Sequence, residues 1–284
     1  MTHESHEHQH EAETEHAREA WRAYLTGGST NAEGMTAMML TLMKHLPSDP
    51  RCKVCMAPFR GIGSILARSF GMYATAWSMN PTLCDRCERF VKKHEVGVEL
   101  EVTMLFADVR GSTPLAERLG PAEFHHLIDR FYRAATRILI EEDALIEKLI
   151  GDEVAGLFVP GIAGPDYARR AVIAAQRLME ATGHGTPEGP WVEIGAGVHS
   201  GPAYVGAVGS EGSMSVITVL GEAANTAARL ASAASVGEVL VSEQASKAAG
   251  LDLSESEARS LELKGVGEPV AVRVLRSQSA PIIG

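Results

Sequence analysis

The stretch that most constrains this chain is residues 104–113, MLFADVRGST. Met104, Leu105 and Phe106 read as a buried strand that stops at Asp108, with Gly111, Ser112 and Thr113 just beyond. A carboxylate at the end of a buried strand is costly unless a cation or a cluster of hydrogen bonds compensates it. The Gly-Ser-Thr turn then opens a helix, whose free N–H groups and dipole suit an anion such as phosphate. A metal carboxylate beside a phosphate nest suggests a metal–nucleotide site. The plainer alternative is that Asp108 closes a turn and Thr113 caps a helix.

Two further stretches carry chemistry of the same kind. In residues 144–159, ALIEKLIGDEVAGLFV, two apolar runs meet at Gly151-Asp152, which predicts a β-hairpin with a carboxylate at its tip and Lys148 four residues before it. Residues 222–234 predict a helix that carries Asn225 and Arg229 on one face. Between them lie a helix over 165–181, a glycine-rich strand pattern over 191–209 and a strand over 215–220. Residues 114–119 and 121–142 predict two helical segments, the second with Phe124, Leu127, Ile128, Phe131, Ala134, Ala135 and Ile138 on its apolar side. Closing strands are expected over 238–242 and 270–275. The order β, α, ββ, α, β predicts an α+β, ferredoxin-like core with extra strands, in which Asp108 and Asp152 converge.

The N-terminal part has a different logic. All four cysteines fall in two Cys-x-x-Cys pairs, Cys52/Cys55 and Cys84/Cys87. Each pair can reach one ion from a tight turn, and two pairs complete a tetrahedral four-sulfur site. In a chain read as cytoplasmic this pattern favours metal over structural disulfides. The arrangement resembles a treble-clef zinc module. Zinc leads, and an iron–sulfur cluster and a redox dithiol remain as alternatives. A helix over 62–70 is expected to lie over the site, and another over 88–93 to follow the second pair. Residues 1–17 carry His3, His6, His8, His10 and His16 between glutamates and read as a solvated tail or frayed helix. Helices are expected over 19–25 and 31–46, the latter with Met35, Met38, Met39, Leu42 and Met43 as a packing stripe. The expected divisions are a tail over 1–30, a four-cysteine module over 31–97, a catalytic domain over 98–276 and a loose end over 277–284.

Composition excludes some partners. A net charge of −10 argues against binding nucleic acid by phosphate attraction. No apolar run approaches a membrane span, and the N-terminus lacks a secretory pattern, so a cytoplasmic location is expected.

Taken together, FADVRGST, EKLIGDEVAGLF, GVHSGPAYVGAVG and VITVLGEAANTAARL, in this order and at these spacings, resemble the class III nucleotidyl cyclase catalytic domain over about residues 101–275. The resemblance implies a head-to-tail homodimer with active sites at the interface. It implies that Asp108 and Asp152 hold two divalent ions, magnesium or manganese, and that Gly111, Ser112 and Thr113 cradle phosphates. From the partner, Asn225 would orient the ribose and Arg229 would neutralise charge on the α-phosphate. Lys148 and Thr218 occupy the two base-reading positions, where a lysine with Asp or Thr points to ATP, and Glu with Cys points to GTP. The implied activity is an adenylate cyclase making 3′,5′-cyclic AMP and pyrophosphate, regulated by the N-terminal module. The alternatives are a guanylate cyclase and a non-catalytic metal- or redox-sensing binding module on the same fold. One departure stands out: the position where the family often carries a basic residue for the terminal phosphates is Val270, which leaves Lys264 or Arg273 to serve.

Overall fold

In the computed structural model, residues 3–27, 37–47, 50–69, 71, 74–78, 80–94, 97–208 and 216–277 are described. The chain forms two compact units. The first comprises Met1–Leu100, Pro160–Gly164 and Tyr204–Val219, and the second comprises Glu101–Val159, Pro165–Ala203 and Leu220–Gly284.

The first unit begins with α1 (His3–Thr26), α2 (Ala37–His45), α3 (Gly61–Ser69) and α4 (Asp85–His94). Ala17, Ala20, Trp21, Tyr24 and Leu25 are buried at helical spacing, so α1 is a packed helix over its second half, longer than the segment expected over 19–25. The Trp21 indole donates to the Val205 carbonyl at 3.0 Å, and the Tyr24 ring meets Phe90 edge-on at 5.5 Å. Gly161, in the short α6 (Pro160–Ala163), lets α1 approach closely: a Cβ there would sit 1.8 Å from the Tyr24 carbonyl oxygen. The segment 31–36, including Met35, lies outside the described residues. Within α2, Met43 is buried with Ala67, and Leu42 is exposed.

The expectation that the helix after the first cysteine pair covers the sulfur site is corrected. Helix α3 forms, but Ile62, Ile65 and Leu66 are 69%, 64% and 41% exposed. The cysteines pack instead with Ala57, Ala74, Val54 and Phe59. The helix is short and its inward positions carry only Gly63 and Ala67, so it has no large side chain to lay on the site.

The sheet runs in the order β2-β3-β1-β4-β6-β8-β7, with β5 paired to β4. Its strands are β1 (Gly97–Val109), β2 (Leu145–Ile150), β3 (Glu153–Phe158), β4 (Ile194–Val208), β5 (Val216–Leu220), β6 (Glu238–Ser242), β7 (Glu257–Leu261) and β8 (Val270–Arg276). The first four strands, with α5 (Ser112–Glu141) and α7 (Tyr167–Ala181), make the expected βαββαβ core; β6 to β8 extend it. β1 pairs antiparallel with β3, and β6 lies parallel to β4, reached through α8 (Glu222–Ala233). Helix α5 is two helical segments joined at Gly120 (φ 76°, ψ 165°), with Pro121 opening the second, as the sequence predicts. Ile128, Phe131, Ala135, Ile138 and Leu139 form its buried face; Phe124 and Leu127 are only partly covered. The alanine-rich α7 buries Ala168, Ala171, Ala174 and Ala175 beside Val172, Leu178 and Met179.

Three elements escaped the sequence reading: α6, β7 and α9 (Glu243–Ala248). β7 is short, and its residues are exposed or half-buried, so it shows no alternating apolar face. It pairs antiparallel with β8 and is held further by charge. Glu238 on β6 accepts from both Arg259 Nη atoms at 2.8 Å and from Arg276 at 2.7 Å. Those bonds, Arg259 first, hold its carboxyl down at about 2 against the opposing effect of burial. Because the folded value lies below the ordinary 4.5, the stabilisation is complete above pH 4.5 and is lost as pH falls through about 2.

Two outcomes follow. Thermal melts of Glu238→Gln should lose about 1–3 kcal/mol at pH 7, and should depend less on pH between 4.5 and 2 than the parent does. Gly161→Ala should part α1 from α6 and raise protease sensitivity around residue 27, with little change in the melting of the second unit.

Candidate active site

The site is built at one end of the central strands. β1 carries the chain to Asp108, which lies opposite Glu153 on β3. The hairpin tip follows at once: Gly151 takes φ 64°, and the Val109 amide donates to the Asp152 carbonyl at 3.1 Å. Tyr132 on α5 fastens the tip by donating its hydroxyl to the Gly151 carbonyl at 2.9 Å. The fold thus brings Asp108 and Asp152 together through backbone pairing, as the motif spacing predicts.

Asp108 is half-buried, and its carboxyl is pushed up to about 6. Burial is the main cause; Asp152 and Glu153 add repulsion, and the Arg110 guanidinium opposes them. Carboxylates gathered this closely around Asp108 are a fitting donor set for a hard divalent cation, which needs oxygen ligands and removes the repulsion on Asp108. The two family aspartates therefore fit the ions that the fold implies.

Beyond Asp108 the chain turns at Gly111, which takes the left-handed conformation (φ 59°, ψ 33°) that glycine adopts without strain. No side chain caps α5, so the backbone N–H groups of Ser112 and Thr113 at its first turn are free of intrahelical partners and open to an anion. Lys148 lies on β2 beside a bulge, since the register passes from Ile146 opposite Gly156 directly to Lys148 opposite Ala155. Its ammonium is 3.1 Å from a Glu153 carboxylate oxygen and 5.4 Å from the centre of the Phe106 ring.

Asn225 and Arg229 are both exposed on α8, opposite the face that buries Ala223, Ala224, Ala227, Leu230 and Ala231. Their exposure leaves them available to a second molecule. Thr218 is half-buried on β5, in the other compact unit. Val270 is buried. Arg273 is engaged, donating to the Ser254 and Ser256 carbonyls at 3.4 and 3.3 Å, which leaves Lys264 as an exposed cation before β8.

The sequence reading missed Arg110, Glu153 and Tyr132. Arg110 sits inside the central motif but is visible as a partner only once α8 is folded against it. Glu153 follows Asp152 directly, and only the strand register shows that it, rather than Asp152, faces Asp108.

In the first unit, the four cysteine Sγ atoms lie within 4.8 Å of one another. Cys52 and Cys87 approach to 3.7 Å, Cys55 and Cys84 to 3.5 Å. A tetrahedron with bonds of about 2.3 Å to one ion has edges of roughly 3.8 Å. Each pair closes a tight turn in which the second cysteine's amide points at the first sulfur, at 3.5 Å in both. Met56 takes φ 59° after the first turn, and Cys87 lies in the first turn of α4. The Arg51 guanidinium donates to the Leu46 and Lys44 carbonyls at 2.8 and 3.1 Å, anchoring the first turn to the end of α2. Hydrogen bonds among the four sulfurs hold Cys84 far below its ordinary value and push Cys55 and Cys87 well above theirs. Among the described residues no helix is long and apolar enough to cross a membrane.

The chain is 30% identical over 135 residues to an adenylate cyclase of Anabaena cylindrica, covering 45% of this chain and 26% of that one. It shares its fold with the guanylyl cyclase Cya2 (26% identity, TM-score 0.56, 63% of this chain and 92% of that one). It is equally similar to the adenylyl cyclase CyaB from P. aeruginosa (26% identity, TM-score 0.54, 65% and 98%). The chain spans at most about two-fifths of the length of the curated relatives it matches, 26% of the Anabaena cylindrica cyclase. Residues 95–274 match the adenylate and guanylate cyclase catalytic domain as a family, and the chain belongs to that family.

Proposed function

We propose that this chain is an adenylate cyclase that converts ATP to 3′,5′-cyclic AMP and pyrophosphate in a homodimer. The observation that carries this reading is the convergence of Asp108 and Asp152 at a helix-opening turn, while Asn225 and Arg229 stand exposed on α8. One protomer then supplies the metal carboxylates and the partner supplies the ribose and phosphate groups.

When bound, two magnesium or manganese ions would acidify the ribose 3′-hydroxyl and neutralise the triphosphate. This chain's residues do the rest. Asp108 and Asp152 would hold the ions, and the amides after Gly111 would bind phosphate oxygens. Asn225 orients the ribose so that the 3′-oxygen lies in line with the α-phosphorus. Arg229 stabilises the charge that builds on the α-phosphate. Lys148 donates to adenine N1 and the Thr218 hydroxyl accepts from the 6-amino group, which favours ATP over GTP. The pairing of Lys148 with Glu153 keeps the ammonium at the strand edge until a base is present. Lys264 is the candidate for the terminal phosphates in place of Val270.

The four-cysteine module is read as a structural zinc site that also serves regulation, because α4 ends at His94 and β1 begins at Gly97. The short sulfur–sulfur distances favour one ion over an iron–sulfur cluster, which spreads its four thiolates over separate irons. Deleting residues 1–88 should therefore change basal turnover or dimer affinity; unchanged values for both would remove the regulatory role.

Purified protein with Mn²⁺ should turn over ATP in preference to GTP, and comparable turnover of GTP would overturn the base assignment. Arg229→Ala should lower kcat about 10²-fold. Asp152→Asn should lower it at least as much. Mixing those two variants should restore about a quarter of the parental activity, because half the dimers then hold one intact site. The pair Lys148→Glu with Thr218→Cys should move kcat/KM from ATP towards GTP by about 10²-fold. Elemental analysis should find one zinc per chain in a colourless sample; a brown sample would favour the cluster. Chelation should unfold the first unit, seen as lost protection around residues 52–87.

A further inference from the structure

Arg110 is the best-connected side chain at the site, and the reading above assigns it no task. Its guanidinium pairs with the Asp108 carboxylate. The same group donates from Nη2 to the Ala231 carbonyl at 2.5 Å and from Nη1 to the Ser232 carbonyl at 3.0 Å. The side chains of the pair are only 18% and 20% exposed. Arg110 reaches α8 across Gly195 on β4: a Cβ at that position would lie 2.7 Å from its Nε. Nε itself is buried and without an acceptor. A side chain that accepts this burial is held by the fork at its other end.

The far end of that fork has a reason of its own. α8 carries no basic residue in its last turn, so its terminal carbonyls have no cation from the helix itself. The guanidinium from the β1 end supplies one, where the negative pole of the helix favours it. A planar fork can hold a carboxylate and two carbonyls together; a lysine has one point of charge. Ala231 and Ser232 follow Arg229 by two and three residues, so the turn being gripped is the one that presents Arg229.

We propose that Arg110 is a positioning residue for two active sites at once. It fixes Asp108 in the site of its own protomer. It also fixes the end of α8, whose Arg229 serves the site completed by the partner. The proposal rests on the homodimeric cyclase reading, in which Asp108 and Arg229 of one chain belong to different sites. Arg110 then ties those sites together mechanically: an ion that draws Asp108 away from the guanidinium loosens the hold on the partner-facing arginine.

The test uses the mixed dimer of Asp152→Asn and Arg229→Ala full-length chains, in which one site is intact. Asp152→Asn leaves the Asp108–Arg110–α8 connection in place. Arg110→Met is then added to one chain or the other. On the Arg229→Ala chain, which supplies the working Asp108, it should lower kcat by about 30-fold or more. On the Asp152→Asn chain, which supplies only the working Arg229, it should still lower kcat by about 3–10-fold, with KM little changed. Arg110→Lys should recover turnover in the first arrangement and not in the second. Independently of turnover, amide exchange at residues 231–235 of the protein as purified, with no added Mg²⁺ or Mn²⁺, should quicken by about tenfold with Arg110→Met, while β6 is unchanged. Gly195→Ala keeps the charge and displaces the guanidinium; it should give the same pattern if Arg110→Met folds poorly.

Unchanged turnover in the second arrangement, or unchanged exchange at the end of α8, would overturn the proposal. If the unsubstituted mixed dimer shows no recovery while the parent protein is active, the shared-site reading itself fails, and the proposal falls with it.

Discussion

The second unit depends on a carboxylate held where water would ordinarily be needed. Asp108 ends a strand whose neighbours, Met104 to Ala107, are buried, and two further acidic residues stand close by. Left alone, the group would protonate or the strand end would open. Arg110 offsets part of that cost, and its guanidinium lies across Gly195 against the end of α8. The local electrostatic problem at one residue therefore fixes the relation of β1, β4 and α8. The sheet supplies the framework, but this ion pair decides where the site's parts stand.

The four-cysteine unit meets a different constraint. Its described core around the sulfurs is small: Ala57, Ala74, Val54 and Phe59 beside the cysteines themselves. So little apolar surface does not hold a segment by burial alone, and on the proposed zinc reading an ion bound by the four sulfurs would make up the difference. The exposed Ile62 and Ile65 on α3 make the same point from the other side, because apolar residues are present but are not used to build a core there.

Much of the fold was legible because its elements carry strong patterns. The α5 stripe of Ile128, Phe131, Ala135 and Ile138, the hairpin at Gly151-Asp152 and the strand over 104–106 each announce themselves through period or turn chemistry. β7 and α9 did not. β7 is short and mostly exposed, and Glu238, Arg259 and Arg276 hold it through charges far apart in sequence. Helix α9 follows β6 directly, with Ser242 as both the last strand residue and the helix cap, so no break marks it.

The sequence by itself determined the family, the βαββαβ order, the two aspartates and the four sulfurs, because each is carried by residues close together in the chain. Only the tertiary structure decided that Asp108 faces Glu153, that Lys148 sits beyond a bulge, that α3 leaves its apolar side open and that Arg110 reaches α8. Those outcomes depend on strand register and on the approach of segments more than a hundred residues apart, as Arg110 is from Ala231. A linear pattern specifies which residues seek burial or charge, but the partner that satisfies them is chosen by packing.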